Sequence, residues 1–479
     1  MIPRQQKEGL SNNNLKSWRD IPGYGLWHVV SLRRQYKQDP LQFLTQLHHD
    51  HGKLIRLEFG PKRIFILNDP DDISHVLQTH YTNYLKLGSY KITSFLLGQG
   101  LLNSNGSLWL KQRRIVQPFF QPRLIPTFMD LFSQETEKLC LRWEKSLEEE
   151  KIFNLTDEMV SVTFNIITHA LCSADLSQSA SVVNEAFQVA LKELMARLYT
   201  RQLPRSIPTP SNYRMNRSIE YLQTMVEEIV QQRRANPGSK GDLLDHLMST
   251  HDQEDPKEMT DHQLRDQILT LLAAGHDTTA HALSWTLYLL SQHPAILNAV
   301  QQECQTILQG RFAKYEDLSL LSFTRQVLDE SMRLFPPVWS IERTVLEEDC
   351  LGGYRIPSGA TVIISPYVVH RSPLYWENPD HFEPERFHPS RVTTYHPYQY
   401  FPFLGGPRVC VAKHFALAEA QFILSGILQR FIPELATSDP VKAEPYITLR
   451  PKNLFMRFKK RCDPDQRKPV IRINPKNQL

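Results

Sequence analysis

FPFLGGPRVCVAKHFALAEAQ, residues 401–421, sets one cysteine between a Gly-Gly-Pro turn and an apolar helical repeat. Phe415, Ala418 and Phe422 share one face of that repeat, and Ala416, Ala420 and Leu424 share another. A cysteine at a helix N-terminus meets unpaired backbone N–H groups and the positive end of the helix dipole, and both favour the thiolate. Arg408, two residues before Cys410, can neutralise a nearby anion. Gly405 and Gly406 would let the backbone approach a flat ligand closely. Taken alone, a buried structural cysteine is the commoner case, so the rest of the chain has to decide.

The chain has 479 residues, 41% of them apolar and 22% charged, an ordinary globular composition. That length allows two or three domains, yet no linker signal and no internal repeat divides it. The net charge is +4, and the excess is local. Arg457 to Leu479 carries eight basic and two acidic residues, a surplus of six, which leaves about −2 for the remainder. No broad basic face of the kind that binds nucleic acid is expected. Cysteines at 140, 172, 304, 350, 410 and 462 form no CxxC pair or tight cluster, which speaks against a disulfide framework or a zinc site and suits a reducing cytoplasm. The first twenty residues hold no apolar run, so neither a signal peptide nor a membrane anchor is expected there. The longest apolar region, Ile268 to Leu290, has His276, Asp277, two threonines and His281 at its middle. Charge at mid-span is costly in lipid, so a buried soluble helix is predicted.

Along the chain, KLIRLEFGPKRIFILNDP (53–70) reads as two strands about a Gly60-Pro61 turn, with a helix starting near Asp71. A helix from Leu108 stops at Pro118. Helical periodicity then runs from Pro126 to Arg234, with one break at 203–212, where Pro208 and Pro210 forbid continuity. A capping box, Thr260 to Gln263, opens a helix that reaches Gln292, about 48 Å long. Another covers Phe323 to Phe335 and ends at Pro336-Pro337. A β-rich stretch occupies 352–370, an irregular proline- and aromatic-rich stretch 372–402, and a last long helix starts just after Cys410. The pattern predicts an α+β fold, mainly α, with one small β region.

Three further groups of residues stand out. Glu330 and Arg333 lie at i and i+3 and share a helix face; such a match alone is usually a surface pair. Ala274-Gly275-His276-Asp277-Thr278-Thr279 puts an acid beside a hydroxyl in an apolar helix, where a hydroxyl bonded back to its own helix is the bland account. Trp109 and Arg113 lie one helical turn apart and face the same way.

Phe403-x-x-Gly406-x-Arg408-x-Cys410 resembles the haem-binding signature of the cytochrome P450 family, with Ala412 where the family usually has glycine. The other groups follow in that family's order, at 109, 277, 330, 386 and 410, and the resemblance runs from Ile21 to Arg457. It implies a single P450 domain over 21–457, with an N-terminal extension (1–20), a basic C-terminal tail (458–479) and a long central helix crossing the haem. It implies haem b, iron protoporphyrin IX, with Cys410 as the iron ligand and a thiolate that favours O–O cleavage. Trp109, Arg113, Arg343 and Arg408 would contact the haem propionates. Glu330 and Arg333 would join Arg386 of Pro384-Glu385-Arg386-Phe387 behind the cysteine loop. Asp277 and Thr278 would steer protons to dioxygen, with Gly275 allowing close approach over the ring.

The implied enzyme is a haem-thiolate monooxygenase acting on a hydrophobic small molecule, such as a fatty acid or terpenoid. Electrons would come from NAD(P)H through a separate ferredoxin or flavodoxin and its reductase, because no flavin or iron–sulfur unit is evident in the chain. The 96–109 stretch and the break before Asn212 resemble soluble bacterial members, which implies a cytoplasmic, monomeric protein without a transmembrane anchor. Leu96, Leu97, Leu101 and Leu102 are candidate pocket residues before Trp109; Ala273, Ala274, Val338 and Trp339 are the later ones. A peroxygenase, an isomerase and a non-catalytic haem sensor are the rivals, and an intact acid–alcohol pair disfavours all three.

Overall fold

The computed structural model describes residues 15–461, apart from 148, 175–179, 200–203, 237, 239, 250–258 and 438. Its axis is the long helix, Asp261–Gln292. The Gln263 N–H donates to Thr260 Oγ1 at 3.3 Å and the Thr260 N–H donates to Gln263 Oε1 at 2.9 Å, so the predicted capping box is formed. Most residues from Leu264 to Leu290 are buried around the whole circumference, as a helix packed on all sides requires. Leu155–Cys172 and Pro210–Ala235 pack against it, as do Ser322–Leu334 and the cysteine helix, Lys413–Arg430. A Cβ added to Gly275 would lie 2.8 Å from Ile167 Cγ1. That glycine therefore admits the Leu155–Cys172 helix, and it also lines the central cavity.

Six strands form the main sheet, in the order Gly23–Tyr24, Leu54–Phe59, Lys62–Leu67, Thr361–Ile364, Ile341–Val345, Tyr84–Leu85. The predicted hairpin turns at Gly60, whose φ is +64°, a conformation that favours glycine. The β-rich reading of 352–370 holds to Ile364; Ser365 then caps a helical turn, Pro366–Val369. Lys16–Ser17 pairs with Tyr354 and Arg355, so these residues of the N-terminal stretch join a second, three-stranded sheet.

The helical run from 126 to 234 is broken more often than periodicity indicates. Helices Met129–Lys145, Leu155–Cys172, Ala180–Tyr199 and Pro210–Ala235 replace it. Phe153 and Asn154 leave the helical path to pair with Met456 and Phe455. The proline-rich break ends at Thr209, which caps the next helix with Pro210 at its first position, where a missing N–H costs nothing. Phe431–Leu435 and Phe455–Lys460 form an antiparallel pair that the sequence reading passed over. Trp143 stacks on Phe458 with centroids 3.9 Å apart and binds this pair to the helices. Of the basic tail, 462–479, with Cys462, lies outside the described residues.

Glu330, Arg333 and Arg386 are 0%, 0% and 3% exposed, which removes the surface-pair reading. Arg333 grips the Glu330 carboxylate with Nε at 2.7 Å and a terminal nitrogen at 2.8 Å. Its remaining N–H groups donate to the carbonyls of His370, Pro379 and His381. Arg386 Nε stands 3.4 Å from the same carboxylate, and the Glu383 N–H donates to it at 2.9 Å. The His370 ring accepts the Phe401 N–H at 3.0 Å, so the group reaches the first residue of the cysteine loop. Removing one member of a buried ionic group strands the rest. Glu330→Ala should cost roughly 3–5 kcal/mol in thermal or urea unfolding; a wild-type melting temperature would contradict the buried arrangement.

Asp349 ties the three-stranded sheet to the main one by accepting from His75 Nε2 at 2.9 Å and the Tyr84 hydroxyl at 2.8 Å. Burial alone would raise its carboxyl; hydrogen bonds from His75, the Cys350 N–H and Tyr84 outweigh burial and hold it at about 2. A depressed carboxyl stabilises the fold above its unfolded pKa, and that contribution is lost as pH falls through the folded value. Asp349→Asn should lower stability at neutral pH by about 2 kcal/mol. In urea titrations the gap to wild type should close as the pH falls from about 4 toward the folded value.

Candidate active site

The loop before the cysteine helix is closed by the Cys410 N–H, which donates to the Phe403 carbonyl at 3.0 Å. Gly406 has φ +64°, and a Cβ there would lie 2.0 Å from the Leu77 carbonyl oxygen. A Cβ on Gly405 would meet the Tyr398 ring at 2.5 Å. Both glycines are required by close contacts with the protein itself, and neither is on the cavity wall. The helix starts at Lys413, so Cys410 sits just before its first turn. Burial pushes the Cys410 thiol up, while the Ala412 N–H, Arg113 and Lys413 draw it down.

Cys410 opens onto a cavity of about 1300 Å³, from which its side chain is accessible. Ala273, Ala274, Asp277 and Thr278 of the long helix form part of the wall. Leu97, Leu101, Leu102, Val338, Trp339 and Phe403 form other parts. Leu96, 0% exposed, is not on the wall and packs in the core instead. The loop carrying Leu101 is tied to the long helix: the Gln99 N–H donates to Asp266 Oδ2 at 2.9 Å and the Leu101 N–H to Gln267 Oε1 at 3.2 Å.

Trp109, Arg113, Arg343 and Arg408 all reach this cavity. The Arg408 guanidinium lies over the Trp109 ring at 4.4 Å and donates to the Ser104 carbonyl at 3.3 Å and Asn105 Oδ1 at 3.2 Å. Arg343 donates to the Glu342 carbonyl at 2.7 Å and the Tyr90 hydroxyl at 3.3 Å. Arg113 donates to the Val409 carbonyl at 2.6 Å. A fourth cation, Lys86, is 8% exposed and donates to the Leu102 carbonyl at 2.8 Å. Burial, then Arg343, Arg408 and Arg113, drive its ammonium well below the ordinary lysine value. Burial and Arg343 likewise push Arg408 down to about 10. No motif marks Lys86; only the fold brings it to the arginines.

On the long helix, the Thr278 hydroxyl donates back to the Ala274 carbonyl at 2.9 Å. Asp277 Oδ2 accepts the Thr448 hydroxyl, and Oδ1 lies 3.7 Å from His281 Nε2. Burial would raise the Asp277 carboxyl, but His281, His276, Thr448 and Arg450 hold it below its ordinary value. Glu419 of the cysteine helix, 1% exposed and on the cavity wall, has an unpartnered Oε1, and burial raises its carboxyl well above the ordinary range. Thr448, His281 and Glu419 carry no motif; each becomes visible only when distant segments pack together.

The donor set fits a haem. Among the described residues, no group of three or more His, Cys, Asp or Glu side chains could hold a bare metal ion. A lone thiolate suits an iron that brings its own equatorial ligands. Buried Lys86 and Arg343 and half-buried Arg408 form no ion pair with a described carboxylate, and Arg408 Nε has no hydrogen-bond partner. Such a cluster is complementary to a dianion.

Residues 20–458 match the family model described as Cytochrome P450. Cyclooctatin synthase of Streptomyces melanosporofaciens is 32% identical over 447 residues, which cover 91% of this chain and 94% of that protein. Cyclooctat-9-en-7-ol 5-monooxygenase of the same organism is 30% identical over 411 residues, 85% of this chain and 87% of that one. The crystal structure of the cytochrome P450DA heme domain superimposes with a TM-score of 0.83 at 26% identity, covering 92% of this chain and 98% of that one. With a family match over nearly its whole length and a P450 neighbour of the same fold, the chain belongs to the cytochrome P450 family and is a monooxygenase of that family.

Proposed function

We propose that the protein inserts one atom of dioxygen into a C–H bond of a hydrophobic, terpenoid-like molecule. The observation that carries this reading is the meeting, in one largely apolar cavity, of a lone thiol, a cation cluster and an acid–alcohol pair. Relatives named for cyclooctatin and for 5-monooxygenation of cyclooctat-9-en-7-ol favour a cyclic substrate over a linear fatty acid. Electrons pass from NAD(P)H through a separate ferredoxin or flavodoxin and its reductase. Among the described residues no helix is long and apolar enough to cross a membrane. A monomer in the cytoplasm is the working form we propose.

Each role falls to a residue already located. The Cys410 thiolate would hold the iron of haem b, and coordination would keep the sulfur deprotonated. Arg408, Arg343, Arg113 and Lys86, with Trp109, take the two propionates. Bound haem supplies dioxygen reduction and oxygen transfer. The apolar wall at Leu97, Leu101, Ala273 and Val338 excludes water and orients the substrate. Thr278 gives its hydroxyl proton to the cavity when it turns from the Ala274 carbonyl. Asp277, a carboxylate at rest, takes up a proton from solvent and passes it to the Thr278 oxygen, a relay an amide would not perform. A peroxygenase or isomerase has no use for this pair, and neither has a haem sensor.

The Cys410→Ser protein, reduced and treated with carbon monoxide, should lose the red-shifted Soret band of thiolate ligation, whereas Cys350→Ser should retain it. An unchanged band in Cys410→Ser would remove the cysteine from the site.

Reconstituted with a ferredoxin and its reductase under labelled dioxygen, the wild type should place one labelled oxygen in a cyclic terpene alcohol. Thr278→Ala should still consume NAD(P)H but divert most reducing power to hydrogen peroxide, and Asp277→Asn should slow turnover roughly 10²-fold. Unchanged coupling and turnover in both variants would return the peroxygenase and isomerase readings.

A further inference from the structure

Asp277 is held from two sides. Its Oδ2 accepts the hydroxyl of Thr448, which lies between the strands Lys442–Pro445 and Leu449–Lys452. Its Oδ1 lies 3.7 Å from Nε2 of His281, one helical turn further on. That separation is too long for a hydrogen bond and short enough for a strong charge interaction. The Leu449–Lys452 strand is fixed in place by Trp285, whose Nε1 donates to the Leu449 carbonyl at 2.9 Å.

His281 is an expensive residue for a core position. It is 2% exposed, and its Nδ1 has no hydrogen-bond partner. A phenylalanine or leucine would fill such a site without an idle polar atom. Few charged groups face the ring. Asp277 and His276 lie on its own helix, and Arg450 approaches from the strand. Arg450 is paired with Glu444 at 2.8 and 2.9 Å. His276 is engaged elsewhere: its Nδ1 contacts the Leu272 carbonyl at 2.6 Å, and its ring packs on Phe164 and Phe187. Asp277 is therefore the anion to which a charge on His281 would respond.

We propose that His281 is a positioning residue for proton delivery: with Thr448 it holds the Asp277 carboxylate, and its protonation decides whether that carboxylate can leave Thr448 and turn to the Thr278 hydroxyl. The inference rests on the reading of Asp277 as the acid that resupplies Thr278. Burial holds the His281 ring below its ordinary value, so it is neutral near neutral pH and a single hydroxyl retains the carboxylate. Asp277 and Thr448 both line the cavity, so rotation away from Thr448 frees the acid to face the neighbouring Thr278 hydroxyl. In acid the ring gains a proton, and imidazolium and carboxylate attract in a medium that screens them weakly. The carboxylate is then locked, and proton delivery slows while electron supply continues.

The test uses the holoenzyme with ferredoxin and reductase and follows product formed per NAD(P)H between about pH 5 and 8. Wild-type coupling should fall several-fold toward the acid end, with peroxide rising in step. His281→Gln, and independently His281→Phe, should flatten that dependence. A second readout is the NMR titration of the His281 ring in the reduced, carbon monoxide-bound protein. Its midpoint should drop by about one pH unit or more in Asp277→Asn, because the partner charge is gone. Parallel pH profiles in wild type and both His281 variants, or a midpoint unmoved by Asp277→Asn, would overturn the proposal. Coupling indifferent to Asp277→Asn at every pH would overturn the underlying role of the acid and this inference with it, even with the midpoint shifted.

Discussion

A carboxylate withdrawn from water persists only where it is hydrogen-bonded and its charge is countered; Arg333 and the Glu383 N–H supply the hydrogen bonds to Glu330, and Arg386 adds a second positive charge at 3.4 Å. The arrangement has mechanical reach. Arg333 uses its other donors to gather the carbonyls of His370, Pro379 and His381, segments without regular hydrogen-bond ladders of their own. His370 passes the constraint on to Phe401, where the chain turns into the cysteine loop. An irregular stretch of some thirty residues thus gains a fixed shape from one ionic centre, and the thiol inherits its position from it.

The cavity is organised by the opposite electrostatic choice. Lys86, Arg343 and Arg408 are desolvated without a described carboxylate partner, and their nearest oxygens are mostly backbone carbonyls and amides. A carbonyl dipole partly offsets a buried cation but does not neutralise it. One region therefore pairs opposite charges, and the other gathers like charges around the cavity. On the long helix a third arrangement occurs: an acid shared by a hydroxyl and an imidazole, which favours mobility over permanent pairing.

Much of this was legible in the sequence, and for local reasons. The long helix announced itself through its capping box and its charge-interrupted apolar run, and the Gly60 hairpin through its turn. The cysteine loop, the Glu–Arg pair and the acid–alcohol pair could be assigned because their spacing matched an ordered set. What stayed hidden depends on contacts between distant segments. Lys86 is one lysine among many until it meets Arg343 and Arg408. Thr448 and Asp277 are far apart in the chain, and no periodicity joins them. The protein contacts of the glycines were equally hidden: Gly275 and Gly406 permit close approach to Ile167 and Leu77, and composition cannot say what approaches. Phe153 and Asn154 were absorbed into a helical run because two residues of strand leave no period to detect.

The cation cluster also bears on how the molecule is made. Mutual repulsion among buried like charges opposes collapse of the walls that carry them, and a dianion bound among them reverses the sign of that contribution. A ligand that binds the native state and not the unfolded chain stabilises the former by RT ln(1 + [L]/Kd). Maturation and prosthetic-group supply are thereby linked equilibria: the yield of native protein rises with the free concentration of the tetrapyrrole, and a chain synthesised faster than that supply spends longer exposed to proteolysis.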